Sequence, residues 1–273
     1  MDTKIFFTDL DGTLLNDEKR ITKKTFLTLK AWCEAGHKLV LCSGRALDSI
    51  LHVFETLDLT FPGVYLVGCN GGEIYDCSKK ELLLRRTISY SDVEKVFSLA
   101  EQYHIHIQTY SETHIITKKG GAELNYYKKA IHTPAIIAEN IFSHLPKEPC
   151  KCLAIELTDL DRLEQFRQEI KSQLGSRLSV IYSNPNYIEV FPVESGKGSS
   201  IIWLCKHLNI PIENSLAAGD EMNDISMIQT AGLGIAMCNG RKEVQELADI
   251  VTSSDNNEDG LVKILEQKMQ STI

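Results

Sequence analysis

The sequence predicts an α/β protein: a parallel sheet buried on both faces by helices, with a smaller α+β unit inserted into its middle. Three observations carry this. The first and last thirds alternate short, almost wholly apolar runs with helical stretches, the pattern of strands covered on both faces. The middle third alternates apolar and polar residues within its runs, the pattern of strands with one face covered and one face wet. Two carboxylates, Asp9 and Asp11, close the first apolar run, where an open α/β sheet places its chemistry.

The elements follow in order. Lys4–Thr8 is a β-rich run. Thr22 to Ala35 spaces Phe26, Leu29, Trp32 and Cys33 as a helix, with Thr22 as N-cap and Gly36 as the stop. Lys38–Cys42 reads as a strand, Ala46–Thr56 as a helix and Val64–Val67 as a strand. In the middle, Ser91-Asp92-Val93-Glu94 matches a capping box, and a helix follows to about Tyr103. His104–Tyr110 and Cys152–Leu157 read as half-wet strands. A helix over Asp159–Leu174 precedes Leu178–Tyr182, a turn at Asn184-Pro185-Asn186, and the strand Tyr187–Phe191. Helices are then expected over Ser199–Leu208, Asp224–Ala231, Lys242–Leu247 and Gly260–Gln267, and strands over Ser215–Ala218, Leu233–Ala236 and Ile250–Thr252. The middle is entered near Leu82–Thr87 and left near Phe191–Glu194. This gives a core of residues 1–83 and 191–273 around an insert of 84–190.

The 273 residues carry a net charge of −8, which argues against nucleic acid as a partner, since phosphate backbones demand a basic face. No run is long and apolar enough to predict a membrane span, and no signal peptide is expected. Eight scattered cysteines without a CxxC read as reduced core residues of a cytoplasmic protein. Cys150 and Cys152 are read as packing residues, because a zinc site needs further paired ligands that the sequence does not display. His104 and His106, expected on one strand face near His114, are read as polar positions on the wet side of a sheet. The fate of Tyr187 and Glu189 is open between site and packing, and packing is preferred.

Four elements end in residues that phosphoryl transfer needs. Asp9 and Asp11, at i and i+2 of a strand, face one site while Leu10 points into the core, and Gly12 permits a sharp turn. Ser43-Gly44-Arg45 follows a strand and opens a helix, a place for an anion. Lys197 stands in Gly196-Lys197-Gly198 at another helix start. Gly219-Asp220-Glu221-Met222-Asn223-Asp224 follows the strand Ser215–Ala218. All but Lys197 lie at C-terminal strand ends, so they can converge.

Taken in this order, Asp-Leu-Asp-Gly-Thr-Leu-Leu, Ser-Gly-Arg, the lysine and Gly-Asp-x-x-Asn-Asp resemble the haloacid dehalogenase-like superfamily. The likeness is to its Cof-type (subclass IIB) sugar-phosphate phosphatases. It spans essentially the whole chain, and Asn70-Gly71-Gly72 resembles the Asn-Gly-Ala segment before the family's cap. The resemblance implies a Rossmann-like core with an inserted α+β cap of the C2B type. It implies an Mg²⁺-dependent phosphatase acting on a small phosphorylated metabolite, with no membrane or nucleic-acid partner, as a monomer or small homo-oligomer. It assigns Asp9 as nucleophile and Asp11 as general acid/base. It assigns metal contacts to the Asp9 carboxylate, the Asp11 backbone carbonyl and the Asp220 carboxylate, with Asp224 acting through water or behind the ligands. Phosphate or substrate binding falls to Leu10, Ser43, Gly44, Arg45, Lys197 and Asn223, and Thr13 orients one of the aspartates. Arg45 either reaches the substrate or pairs with a nearby acid. The alternative within the superfamily is a phosphomannomutase-like isomerase that returns the phosphoryl group to a sugar.

Overall fold

The first core strand, β1 (Ile5–Asp9), is buried at all five positions and pairs in parallel on both sides, with β2 (Lys38–Cys42) and β12 (Ser215–Gly219). The computed structural model describes residues 2–129, 131 and 133–270. Outward on one side of β1 and β2 come β3 (Val64–Gly68), β4 (Glu73–Asp76) and β5 (Glu81–Arg85), and beyond β12 come β13 (Leu233–Ala236) and β14 (Ile250–Val251). The order β14-β13-β12-β1-β2-β3-β4-β5 is parallel from β14 to β3 and antiparallel at β4 and β5. The antiparallel hairpin was not expected from the sequence.

Alternation along β1 assigns its faces. Phe6 and Leu10 pack with Leu29 and Trp32 of α1 (Lys23–Glu34), Ile50 and Phe54 of α2 (Leu47–Thr56), and Ile264 and Leu265 of α9 (Val262–Gln270). Ile5 and Phe7 pack with Ile201, Leu204 and Cys205 of α6 (Lys197–Leu208) and Met227 of α7 (Ile225–Thr230). Asp9 continues the parity of Ile5 and Phe7, and so emerges on the side from which α6 presents its N-terminus.

The second sheet has the order β10-β11-β9-β6-β7-β8, with β6 (His106–Tyr110), β7 (Ile115–Thr117), β8 (Ala135–Ile137), β9 (Cys152–Ile155), β10 (Leu178–Asn184) and β11 (Tyr187–Pro192). One face carries α3 (Tyr90–Gln102) and α5 (Leu160–Leu174), whose Val93, Phe97, Leu163 and Phe166 bury Ile107, Ala154, Ile188 and Val190. The other face was expected to be wet. Instead α4 (Ala122–Lys128), absent from the sequence reading, packs Leu124 and Tyr127 on Tyr110, Leu153 and Ile155, and the rest of that face looks into the core. Gln108, on that face, is fully buried as a result.

Local details also move. The cap of α3 is Ser89, whose Oγ accepts from Asp92 N at 3.1 Å; Ser91 lies inside the helix. His104 is not on a strand but in a left-handed turn (φ 55°) before β6. The last short helix, α8 (Lys242–Gln245), is shorter than its expected span. No described helix is long and apolar enough to cross a membrane.

Candidate active site

The C-terminal ends of β1, β2 and β12 meet at a cavity of about 610 Å³ between the two sheets. Its floor includes Asp9, Asp11, Ser43, Gly44, Arg45 and Asn223, and its roof includes Tyr126, Tyr127, Lys151, Tyr187 and Glu189. Lys197 lies just beneath. Its ammonium, wholly buried, donates to Asp9 Oδ1 and to Asp224 Oδ1, each at 2.5 Å. Burial works against that charge, but Asp224 and Asp9 outweigh it and hold the lysine protonated.

Asp9, Asp220 and Asp224 bring carboxylate oxygens within 4.8 Å of one another. Burial, together with Asp224, Asp220 and Asp11, drives the Asp9 pKa well above the ordinary range despite Lys197. Burial and the neighbouring Asp224 push Asp220 up to about 7. Crowded carboxylates of this kind lack positive charge, and an all-oxygen donor set fits a hard divalent cation. Asp224 is the least available of the three. Its Oδ1 holds Lys197 and its Oδ2 accepts from the N–H groups of Asp220 (2.9 Å) and Glu221 (3.0 Å). Asp220 Oδ1 accepts from Thr13 Oγ1 at 2.7 Å, so Thr13 orients Asp220 and neither Asp9 nor Asp11. A Cβ on Gly12, already at φ 80°, would stand 2.4 Å from Asp220 Oδ2, which is why that oxygen stays clear.

Asp11 is in opposite surroundings. Arg45 grips it with two bonds, Nε to Oδ2 at 2.9 Å and Nη2 to Oδ1 at 2.8 Å, and Lys19 adds a third at 2.7 Å. Burial would raise its pKa, but Arg45 and Lys19 prevail and hold it below the usual carboxylate range. Arg45 therefore takes the acid-pairing option left open by the sequence, while still lining the cavity.

Ser43 is buried, and its Oγ accepts from Arg45 N at 3.2 Å. A Cβ on Gly44 would meet Glu189 Oε1 at 3.2 Å and both amide atoms of Asn70 at 3.3 Å, so only glycine leaves this cradle open. Leu10 buries its side chain in the core, as expected, so only its backbone can face a ligand. Asn223 Nδ2 donates to Asn70 Oδ1 at 3.1 Å.

Asn70 is the residue that sequence reasoning left out of the site. It is 1% exposed, has a left-handed backbone (φ 52°), and its Nδ2 has no partner among the described residues. A buried amide donor beside Gly44 without an acceptor is suited to an anionic oxygen. The available signal was its place in Asn70-Gly71-Gly72 after an apolar strand. Glu189 faces the site, contrary to the preferred packing reading, whereas Tyr187 both lines the cavity and packs against Tyr126 and Tyr127 of α4, as that reading had it. They alternate with Ile188 and Val190, which fill the helix-covered face, so the pair can only point the other way. Lys151 donates to Glu189 Oε2 at 2.8 Å, both buried, and Ser183 Oγ donates to Oε1 at 3.2 Å.

The family model for haloacid dehalogenase-like hydrolases matches residues 6–265. A 5-amino-6-(5-phospho-D-ribitylamino)uracil phosphatase of Bacillus subtilis is 29% identical over 267 residues, 97% of this chain and 95% of the relative. A haloacid dehalogenase-like hydrolase from Bacteroides thetaiotaomicron has the same fold, with a TM-score of 0.86, 29% identity, and coverage of 97% of this chain and 99% of the other. A subclass IIB sugar phosphatase shares the fold at a TM-score of 0.80 and 23% identity, over 97% and 98% of the two chains. The chain belongs to the haloacid dehalogenase-like hydrolases, in their Cof-type branch, and is a phosphatase.

Proposed function

We propose that this phosphatase hydrolyses monophosphates of small sugars or polyols by way of an aspartyl-phosphate on Asp9, with Mg²⁺ as cofactor. The observation that carries the reading is the opposite setting of two carboxylates at the end of one strand. Asp9 is buried against Lys197 and two further aspartates, while Asp11 is held at the cavity wall by Arg45 and Lys19. A bound cation would offset the crowding that raises the Asp9 pKa and keep Asp9 ionised as nucleophile, while Asp11, outside the carboxylate cluster, carries the proton.

Asp9 attacks phosphorus, the leaving oxygen takes a proton from Asp11, and Asp11 then takes one from the water that hydrolyses the acyl phosphate. Lys197, Ser43, the backbone of Leu10 and Gly44, Asn223 and the unpaired Nδ2 of Asn70 would hold the phosphoryl oxygens. The Asp9 and Asp220 carboxylates and the Asp11 carbonyl would hold Mg²⁺, with Asp224 behind them. When bound, the ion supplies positive charge that lets an anionic nucleophile approach an anionic ester. Residues 84–190 act as a cap that excludes bulk water from the core of 1–83 and 191–273.

The substrate class is supported by the roof. Tyr126, Tyr127 and Tyr187 give it flat apolar surface, and Lys151, Ser183 and Glu189 give it donors and an acceptor. The test is phosphate release from hexose, pentose, polyol and nucleotide monophosphates, with Mg²⁺ and with EDTA, in wild type and Asp9→Asn. Metal-dependent release that is lost in the variant is expected. Release that needs a sugar bisphosphate, or none at all, would replace this reading by the isomerase.

A further inference from the structure

A second group of metal-ligating side chains converges where the two sheets meet, away from the aspartates. Cys69 in the turn after β3, Glu73 at the start of β4 and Cys150 just before β9 are all buried. One ligand atom from each lies within 4.8 Å of the other two. Glu73 Oε2 is 3.8 Å from Cys69 Sγ. The space above Gly72 where a Cβ would sit is 3.1 Å from Cys150 Cβ and 3.2 Å from Cys69 Cβ, so the two cysteines flank one point. Zinc binds thiolate at about 2.3 Å and carboxylate at about 2.0–2.2 Å, so a tetrahedral ion sets its sulfurs about 3.8 Å apart and sulfur from oxygen about 3.5 Å. The Cys69–Glu73 edge, at 3.8 Å, is already close to this, and the other two edges lie within 4.8 Å.

The surroundings suit a cation. Glu73 Oε1 faces Arg85 Nη1 at 3.4 Å, which fixes the carboxylate and leaves Oε2 toward the cysteines. Arg85 offsets Glu73, and the neighbouring Lys151 is paired with Glu189. Two thiolates and one divalent ion then add no net charge to the buried site. A cavity of about 260 Å³ lined by Cys69, Glu73, Arg85 and Cys150 gives an entry path and room for a water as fourth ligand. It shares no lining residue with the catalytic cavity. The turn is also strained, with Cys69 and Asn70 left-handed in succession (φ 51° and 52°).

We propose that Cys69, Glu73 and Cys150 form a binding site for one borderline-soft divalent cation of the zinc class. Two ligands come from the core and one from the inserted unit, so the bound ion ties the two together. Thiolate ligands select zinc over magnesium, so the site does not compete for the ion of the aspartate cluster. Cys150, read from the sequence as packing because partners were missing, finds them 77 to 81 residues earlier in the chain, brought in by the fold.

The test is a Co²⁺ titration of the reduced full chain with Mg²⁺ in excess. Thiolate bonding gives cobalt an intense near-ultraviolet absorption that carboxylate ligation does not. The expected result is absorption that saturates at one Co²⁺ per chain, is displaced by Zn²⁺, falls at least tenfold in Cys150→Ser, and persists in Cys238→Ser. Cys150→Ser disturbs a buried contact, so the near-isosteric Glu73→Gln is the second variant, expected to weaken Co²⁺ binding at least tenfold with an unchanged fold. No absorption in the wild type overturns the site. So does absorption that survives Cys150→Ser, or an affinity indifferent to Glu73→Gln. Isolation of a Cys69–Cys150 disulfide in the presence of zinc also overturns it.

Discussion

The ammonium of Lys197 stands 2.5 Å from Asp9 Oδ1, and the contact follows from two unrelated regularities of the fold. Asp9 shares the parity of Ile5 and Phe7 on β1, and the helix that covers those residues, α6, begins at Lys197. Asp224 completes the arrangement by accepting a second hydrogen bond from the same ammonium. Lysine here pairs with two buried carboxylates that no other side chain reaches with an ion pair among the described residues.

Lys197→Met is therefore expected to act on both stability and rate. Breaking a buried ion pair from one side costs about 3–5 kcal/mol, because the partner charges remain. Loss of a donor aimed at the reacting group costs about 10²–10³ in kcat. Mg²⁺ should raise the melting temperature of the variant more than that of the wild type, since the ion then supplies charge that the lysine no longer does. Thermal melts with and without Mg²⁺ check this. An equal Mg²⁺ increment in both proteins would place the ion away from Asp9.

Much of this was legible beforehand, and the reasons are local. Strands such as Lys38–Cys42 and Leu233–Ala236 declared themselves at full length because both faces are buried and every position is apolar or nearly so. Asp9, Ser43, Lys197 and Asp220 were legible because strand ends and helix starts punctuate the sequence. What was missed depends on tertiary neighbours. Helix α4 is seven residues of mixed character whose Leu124 and Tyr127 make sense only against the opposing sheet. The bond of Arg45 to Asp11 joins residues 34 apart, and nothing in either segment fixes that choice. Cys69 and Glu73, which the fold brings beside Cys150, precede it by 81 and 77 residues.

Arg45 sets the proton affinity of Asp11. Burial raises the carboxyl's pKa, while Arg45 and Lys19 lower it, and the result lies below the ordinary value. Removing a cation at this distance raises a carboxyl pKa by about 1–3 units. A group with a raised pKa keeps its proton to higher pH. The limb of kcat/KM that reports loss of this proton should thus move upward by that amount in Arg45→Met, whatever the loss in absolute rate. A pH–rate profile from 4 to 9 measures it. A limb that stays in place would remove Asp11 from the role of proton donor.

The inserted unit carries its own pH dependence in Glu156. Its carboxylate accepts from the Thr158 N–H and hydroxyl and from the Asp159 N–H at the start of α5, and pairs with Arg162. Burial opposes these contacts, but they prevail and lower its pKa from 4.5 to about 2. A depressed carboxylate stabilises the fold fully above the unfolded value. That contribution is lost progressively as pH falls from 4.5 toward 2. Glu156→Gln should lower the melting temperature at neutral pH and flatten the fall between pH 4.5 and 2. Parallel curves for the two proteins in that window would refute the assignment.

Glu189 should decide which alcohols leave. Its Oε2 is taken by Lys151, and its Oε1, bonded by Ser183, lies against the Gly44 cradle in the cavity. A carboxylate oxygen there accepts from a hydroxyl on the leaving group and repels a second anion. Glu189→Gln keeps the shape, halves the preference for donors and removes the repulsion. The ratio of kcat/KM for a hexose monophosphate to that for an aryl phosphate without hydroxyls should fall by about tenfold, a loss of about 1.4 kcal/mol. The same variant should gain on substrates that carry a carboxylate or a second phosphate. Uniform loss across all of these would mean that Glu189 only supports Lys151 and does not read the substrate.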